Sequence, residues 1–149
     1  MAEATIRADI MKLSGVQLAI LIPFMLLKHF RKDLMAYEPG KVVEVFLYSF
    51  PNFAEGVLGL MFLVAVGVYL AGQLQWSGKR LPLIYLLAAI LTALYTISQE
   101  FNLHTIGGEN QYDPWDVLFS VLGILTGLFI VFYLRPGQFS LARAGEEQQ

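Results

Sequence analysis

The chain has 149 residues, of which 56% are hydrophobic and 15% charged, with a formal net charge of −2. A soluble domain of this size carries roughly 25% charged residues to coat a surface that is large for its volume. This chain lacks that coat, and it holds too much apolar surface for disorder. It has no cysteine, which excludes disulfide scaffolds, thiol catalysis and cysteine-ligated metal, and its acidic balance leaves no basic footprint for nucleic acid.

Four stretches approach the roughly 20 apolar residues that a membrane-spanning helix needs. The first is the uncharged run 13–27, bracketed by Lys12 and Lys28. Lysines snorkel to the headgroups, which extends this span to about 10–30. It reads as a retained helix and not a cleaved leader, because LKHFRKDLM follows it where small Ala-x-Ala-like residues would be needed. A polar first loop over 31–50 comes next. Its second half, KVVEVFLYSF, reads either as a helix or strand lying at the interface or as an ordered loop on the bundle top.

The second span is expected over 51–74, beginning at Pro51 because proline suits a first helical position. After the tight loop QWSGKR, the third span covers 81–102. The turn signals Gly107-Gly108 and Asp113-Pro114 separate it from the fourth, over 115–134. Arg135-Pro136-Gly137 stops that span, and a flexible tail is expected over 136–149. No stretch alternates as a strand does, and unpaired backbone groups are not tolerated in lipid, so every span is helical. The expected fold is an all-α membrane protein with four transmembrane helices in an antiparallel bundle, a single membrane domain over 1–149.

Four spans put the termini and the second loop on one side, with Arg7, Lys12, Lys79, Arg80, Arg135 and Arg143. Lys28, Arg31, Lys32 and Lys41 fall on the other, and no Lys or Arg lies between residues 81 and 134. The positive-inside rule then predicts cytoplasmic termini.

Small and polar residues recur at helical spacing. Ala88, Thr92, Thr96, Glu100 and His104 stand four apart; Asp116, Ser120, Gly123 and Gly127 follow a 4-3-4 pattern; Asn52, Glu55 and Gly59 follow 3-4. Gly59, Gly123 and Gly127 suit close helix packing, the last two as a GxxxG pair. Each stripe ends in an acidic or amide group on one membrane side. Carboxylates in lipid are costly and face a bundle interior or a wet cavity. The stripes are therefore expected to converge, gathering Glu55, Glu100, Asp113 and Asp116 with Asn52 and His104 around one ligand-binding pocket, with a cation from the first loop to balance them. Asp113, Asp116 and Glu55 also suit helix N-terminal capping or its dipole. Glu100, near a helix C-terminus, has no such explanation. Glu100 and His104 make a lone pair, too few for a metal site, and neither a metal nor a cofactor is expected. No nucleophile stands in a recognisable motif, so binding is expected rather than catalysis.

The stretch SQEFNLHTIGGENQYDPWDVLFSVLGILTG resembles the second half of VanZ-like membrane proteins, with Glu100, Asp113, Asp116, Ser120, Gly123 and Gly127 at the family's positions. SFPNFAEG, heading the second span, is similar to the family's polar motif there, and the resemblance covers residues 49–134. Leu103 and Ser120 stand where members often carry glutamine and asparagine. The resemblance implies a four-span protein of the bacterial inner membrane and cell envelope. The expected function is an outward-facing acidic pocket that binds a lipid or cell-wall-related amphiphile. The alternative is a non-catalytic accessory subunit of a larger membrane protein complex, or a homo-oligomer, with membrane lipids and no nucleic acid as partners. A transporter is less suited, since the spans offer no pair of broken helices in matching halves.

Overall fold

In a computed structural model, the backbone is described for residues 2–100, 113–138 and 141, and side chains for 5–99, 113–138 and 141. Among the described residues the protein is all-helical, with α1 (Ala2–Met35), α2 (Lys41–Gln73), a 3-10 turn at Gly78–Arg80, α3 (Leu81–Glu100) and α4 (Pro114–Leu134). All four α-helices are long and apolar enough to cross a membrane. They form a four-helix bundle with an apolar exterior: Leu18, Ile22, Leu94, Leu125 and Phe129 all face outward. In water such a surface would aggregate, and in a bilayer it is the solvated face. The chain is a multi-pass membrane protein.

Helices rise 1.5 Å per residue, so α3 and α4 measure about 30 Å, the thickness of a bilayer core, while α1 and α2 reach about 50 Å. That excess length corrects the sequence reading of the first connection. KVVEVFLYSF is neither a separate interfacial element nor a loop. It is the start of α2, and the link from α1 shrinks to residues 36–40. The cause is a helical aromatic face. Phe46, Phe50 and Phe53 follow 4-3 spacing, with ring centroids 5.2 and 5.8 Å apart, and Phe46 reaches Phe119 of α4 at 6.2 Å. Pro51 lies inside the helix, and Gly40 is the N-cap.

The far end of α2 closes tightly. Trp76 N–H donates to the Ala71 carbonyl and Gln75 N–H to that of Gly72. With Gln75 at φ 52, this is the two-bond left-handed closure that satisfies final helical carbonyls. Ser77 then caps the 3-10 turn that leads into α3.

Helix α2 is the shared element, packing on α1, α3 and α4, while α3 also meets α4. Val57, Leu60, Met61, Val64 and Val68 form its fully buried stripe. Lipid tails are as apolar as these side chains, so close packing and polar contacts, rather than transfer out of water, hold the helices together. Beyond α4 the chain does not fray at once. Pro136 and Gly137 are buried, Leu141 is 1% exposed, and only the stretches 139–140 and 142–149 of the expected flexible tail lie outside the described residues.

Candidate functional site

Helix register decides which predicted site residues meet. Helices α2 and α4 run in the same direction. A Cβ on Gly56 would lie 2.7 Å from the Ser120 carbonyl oxygen and 3.1 Å from the Ile124 nitrogen, and one on Gly123 would strike the Phe53 carbonyl. One turn on, a Gly127 Cβ would meet Leu60 at 3.2 Å and the Val57 carbonyl at 3.4 Å. Gly123 and Gly127 thus pack within the chain, as expected, and Gly56 is their counterpart. The sequence reading overlooked Gly56, although it opens the apolar run that also holds Gly59. Gly59 turns elsewhere, with its Cβ position 3.4 Å from Thr92 of α3.

The same register separates the carboxylates. Gly123 sits nine residues past Pro114, about 14 Å along α4 and near its middle. Since Gly123 meets Phe53, Glu55 lies at that depth, well away from Asp113 and Asp116 at the α4 N-terminus. Glu55 and Asp116 therefore stand about two helical turns apart along the axis, and the rest of the expected pocket rests on Glu100 and His104. Among the described residues no three Asp, Glu or His side chains gather closely enough to hold a metal. Glu100 closes α3, but its side chain lies outside the described residues, and His104 lies wholly outside them.

The carboxylates differ in their surroundings. Asp113 is the N-cap of α4, its Oδ1 accepting from Trp115 N–H at 2.9 Å. Asp116 sits in the first turn, where the dipole favours an anion, yet its Oδ1 is buried without a hydrogen-bond partner among the described residues. On α2 the Oγ of Ser49 is likewise buried and unpartnered, and Asn52 is half-buried.

Glu55 opens onto a lateral groove of about 570 Å³ between α2 and α3, walled by Leu58, Gly59, Phe62, Thr92 and Tyr95. Thr92 and Thr96 are 3% exposed, so the α3 stripe does face inward. Their hydroxyls, however, donate to their own helix, to the Ala88 carbonyl at 2.8 Å and the Thr92 carbonyl at 3.1 Å. They smooth the wall without offering a free donor. The neighbouring helix supplies a cation through space: Lys28 of α1, 5.8 Å over the Phe24 ring, is the charge that reaches Glu55, while Arg31 lies 5.1 Å over Tyr48.

The site is thus an apolar groove with one carboxylate at its end. Such a site accommodates an alkyl chain along its length and a hydrogen-bond donor or cation beside Glu55. Compared with family models, curated proteins and solved structures, the chain finds no match in any of the three.

Proposed function

We propose that the protein binds a membrane amphiphile in the groove between α2 and α3. The observation that carries this reading is Glu55: a carboxylate that opens sideways on an apolar groove, with the charge of Lys28 on α1 reaching it through space. A charge so placed is expensive in a bilayer and marks a functional position. A ligand carrying an amine or hydroxyl beside its alkyl chain offsets that cost, because a hydrogen bond to a charged group contributes about 1.5–3 kcal/mol. On this reading the protein is a VanZ-like component of the bacterial inner membrane and cell envelope, its termini cytoplasmic and its ligand a lipid or cell-wall-related amphiphile. Support for the family comes from Glu100, Asp113, Asp116 and the glycines that follow, and support for the orientation from the distribution of Lys and Arg. The test is binding of fluorescent long-chain amines and alcohols to the detergent-purified protein. Glu55→Gln is expected to lower affinity for the amine at least tenfold while leaving an alkane-only probe unchanged. Equal affinity of both proteins for the amine would remove Glu55 from the site.

A second reading rests on α1. This helix packs along α2 while Met11, Leu18, Ile22, Met25 and Leu26 point away from the bundle. Such a face suits a helix of a larger assembly, with the chain as an accessory subunit. Co-purification with large partners in mild detergent supports it, and migration as a bare monomer counts against it.

A further inference from the structure

A second cavity, of about 310 Å³, lies at the opposite end of α3, where Leu81, Pro82 and Tyr85 face Phe132, Arg135 and Gln138. Its lining is mostly apolar, with Arg135, Gln138 and Tyr85 supplying polar side-chain groups. Arg135 is the C-cap of α4 and holds φ 48, ψ 52, the left-handed region that a residue with a Cβ rarely enters. Two long-range hydrogen bonds fix the chain just beyond it. Tyr85 Oη donates to the Pro136 carbonyl at 2.7 Å, and Gly137 N–H donates to Asp9 Oδ2 at 3.0 Å. Helices α1 and α3 thus clamp residues 136–137 and hold Arg135 at the cavity. Its guanidinium has no hydrogen bond, ion pair or ring contact among the described residues. Arg80, by contrast, stands 5.2 Å over the Trp76 ring. Lys79 adds a further cation to this end of the bundle.

We propose that this cavity binds the phosphate of an anionic phospholipid, with Arg135 as the phosphate ligand and Phe132, Pro82 and Leu81 covering the first acyl methylenes. The chemistry fits on both counts. A guanidinium matches phosphate oxygens in a two-pronged geometry. The cavity also sits where α3 begins and α4 ends, at the depth of the headgroups for helices of bilayer length. Charge and a clamped backbone therefore meet an apolar wall at the level where a lipid presents phosphate above hydrocarbon.

The experiment is native mass spectrometry of the detergent-purified full chain with phosphatidylglycerol, phosphatidylcholine or glycerol 3-phosphate. The wild type is expected to retain one phosphatidylglycerol in preference to phosphatidylcholine. Arg135→Gln should weaken that retention roughly tenfold, one charge-assisted pair, and Arg80→Gln by less than about twofold. No preference in the wild type overturns the proposal without recourse to any variant. Equal retention by Arg135→Gln also overturns it, as does glycerol 3-phosphate displacing the lipid at equal concentration, which would mean that the apolar walls contribute nothing.

Discussion

Helix α2 meets α4 and α1 in opposite ways. Against α4 it presents Gly56, and α4 answers with Gly123 and Gly127, so that carbonyls and α-carbons of the two helices touch. Against α1 the contact runs through side chains. Ile6 fills the space at Gly72, and Gln17 Nε2 reaches the Leu58 carbonyl at a long 3.4 Å, while Gly15 has open space around it. Only 6% of the apolar window of α1 is buried inside the bundle. In a bilayer this difference decides where stability resides. Two leucines gain little by leaving lipid for each other, whereas backbones in direct contact gain dispersion that lipid tails cannot match. The α2–α4 pair is therefore the rigid frame, and α1 is a helix laid on its side.

The largest expected effect tests the frame. Gly123→Ala places a methyl group on the Phe53 backbone carbonyl, which cannot swing aside as a side chain would. The two helices must separate, and overpacking of this kind costs about 3 kcal/mol, the upper end of the usual range. Unfolding in mixed micelles should show that loss. Gly56→Ala, 2.7 Å from the Ser120 oxygen, should show a similar one. If neither variant moves the transition, the frame is not where stability lies.

The membrane class and the third and fourth helices could be read from sequence because long apolar runs bounded by turn residues leave no other structure in lipid. The start of α2 could not. Lys41 and Glu44 interrupt the apolar run without interrupting the helix, and Pro51 stands inside it, as membrane helices tolerate. The stripes were legible too, since Ala88, Thr92 and Thr96 do face inward. What one sequence does not contain is the height at which one helix meets another. Periodicity gives the face of Glu55 and the face of Asp116, but not the offset along α2 and α4 that sets them on different levels. That offset is fixed by which glycine accepts which carbonyl. It sets Glu55 about two turns along from Asp116 in the first turn of α4.

A smaller effect tests the far end of the bundle. The buried Tyr85 hydroxyl ties α3 to the segment after α4 through the Pro136 carbonyl. Tyr85→Phe keeps the ring, which meets Phe132 edge-on at 5.7 Å, and removes only the donor. The carbonyl is then left unpaired, at a cost of about 1–1.5 kcal/mol. The loss should appear in the same unfolding measurement, together with faster amide exchange around Leu141. Unchanged exchange would mean that Asp9 holds the segment alone.

The smallest effect has the opposite sign and returns to α1. Gly15 lies inside this helix, its φ is not in the left-handed region, and nothing lies within 4 Å of the position a Cβ would take. No packing reason for glycine exists there within the chain. Gly15→Ala removes backbone freedom from the unfolded state at no steric cost, so it should stabilise the protein by about 0.5–1 kcal/mol. The same change at Gly123 destabilises, so the pair of substitutions uses one chemical group to contrast the packed α2–α4 seam with the open outer face of α1. A destabilising Gly15→Ala in the native membrane that stabilises in detergent would place another helix against α1, because only a neighbour lost on extraction can make that methyl group collide.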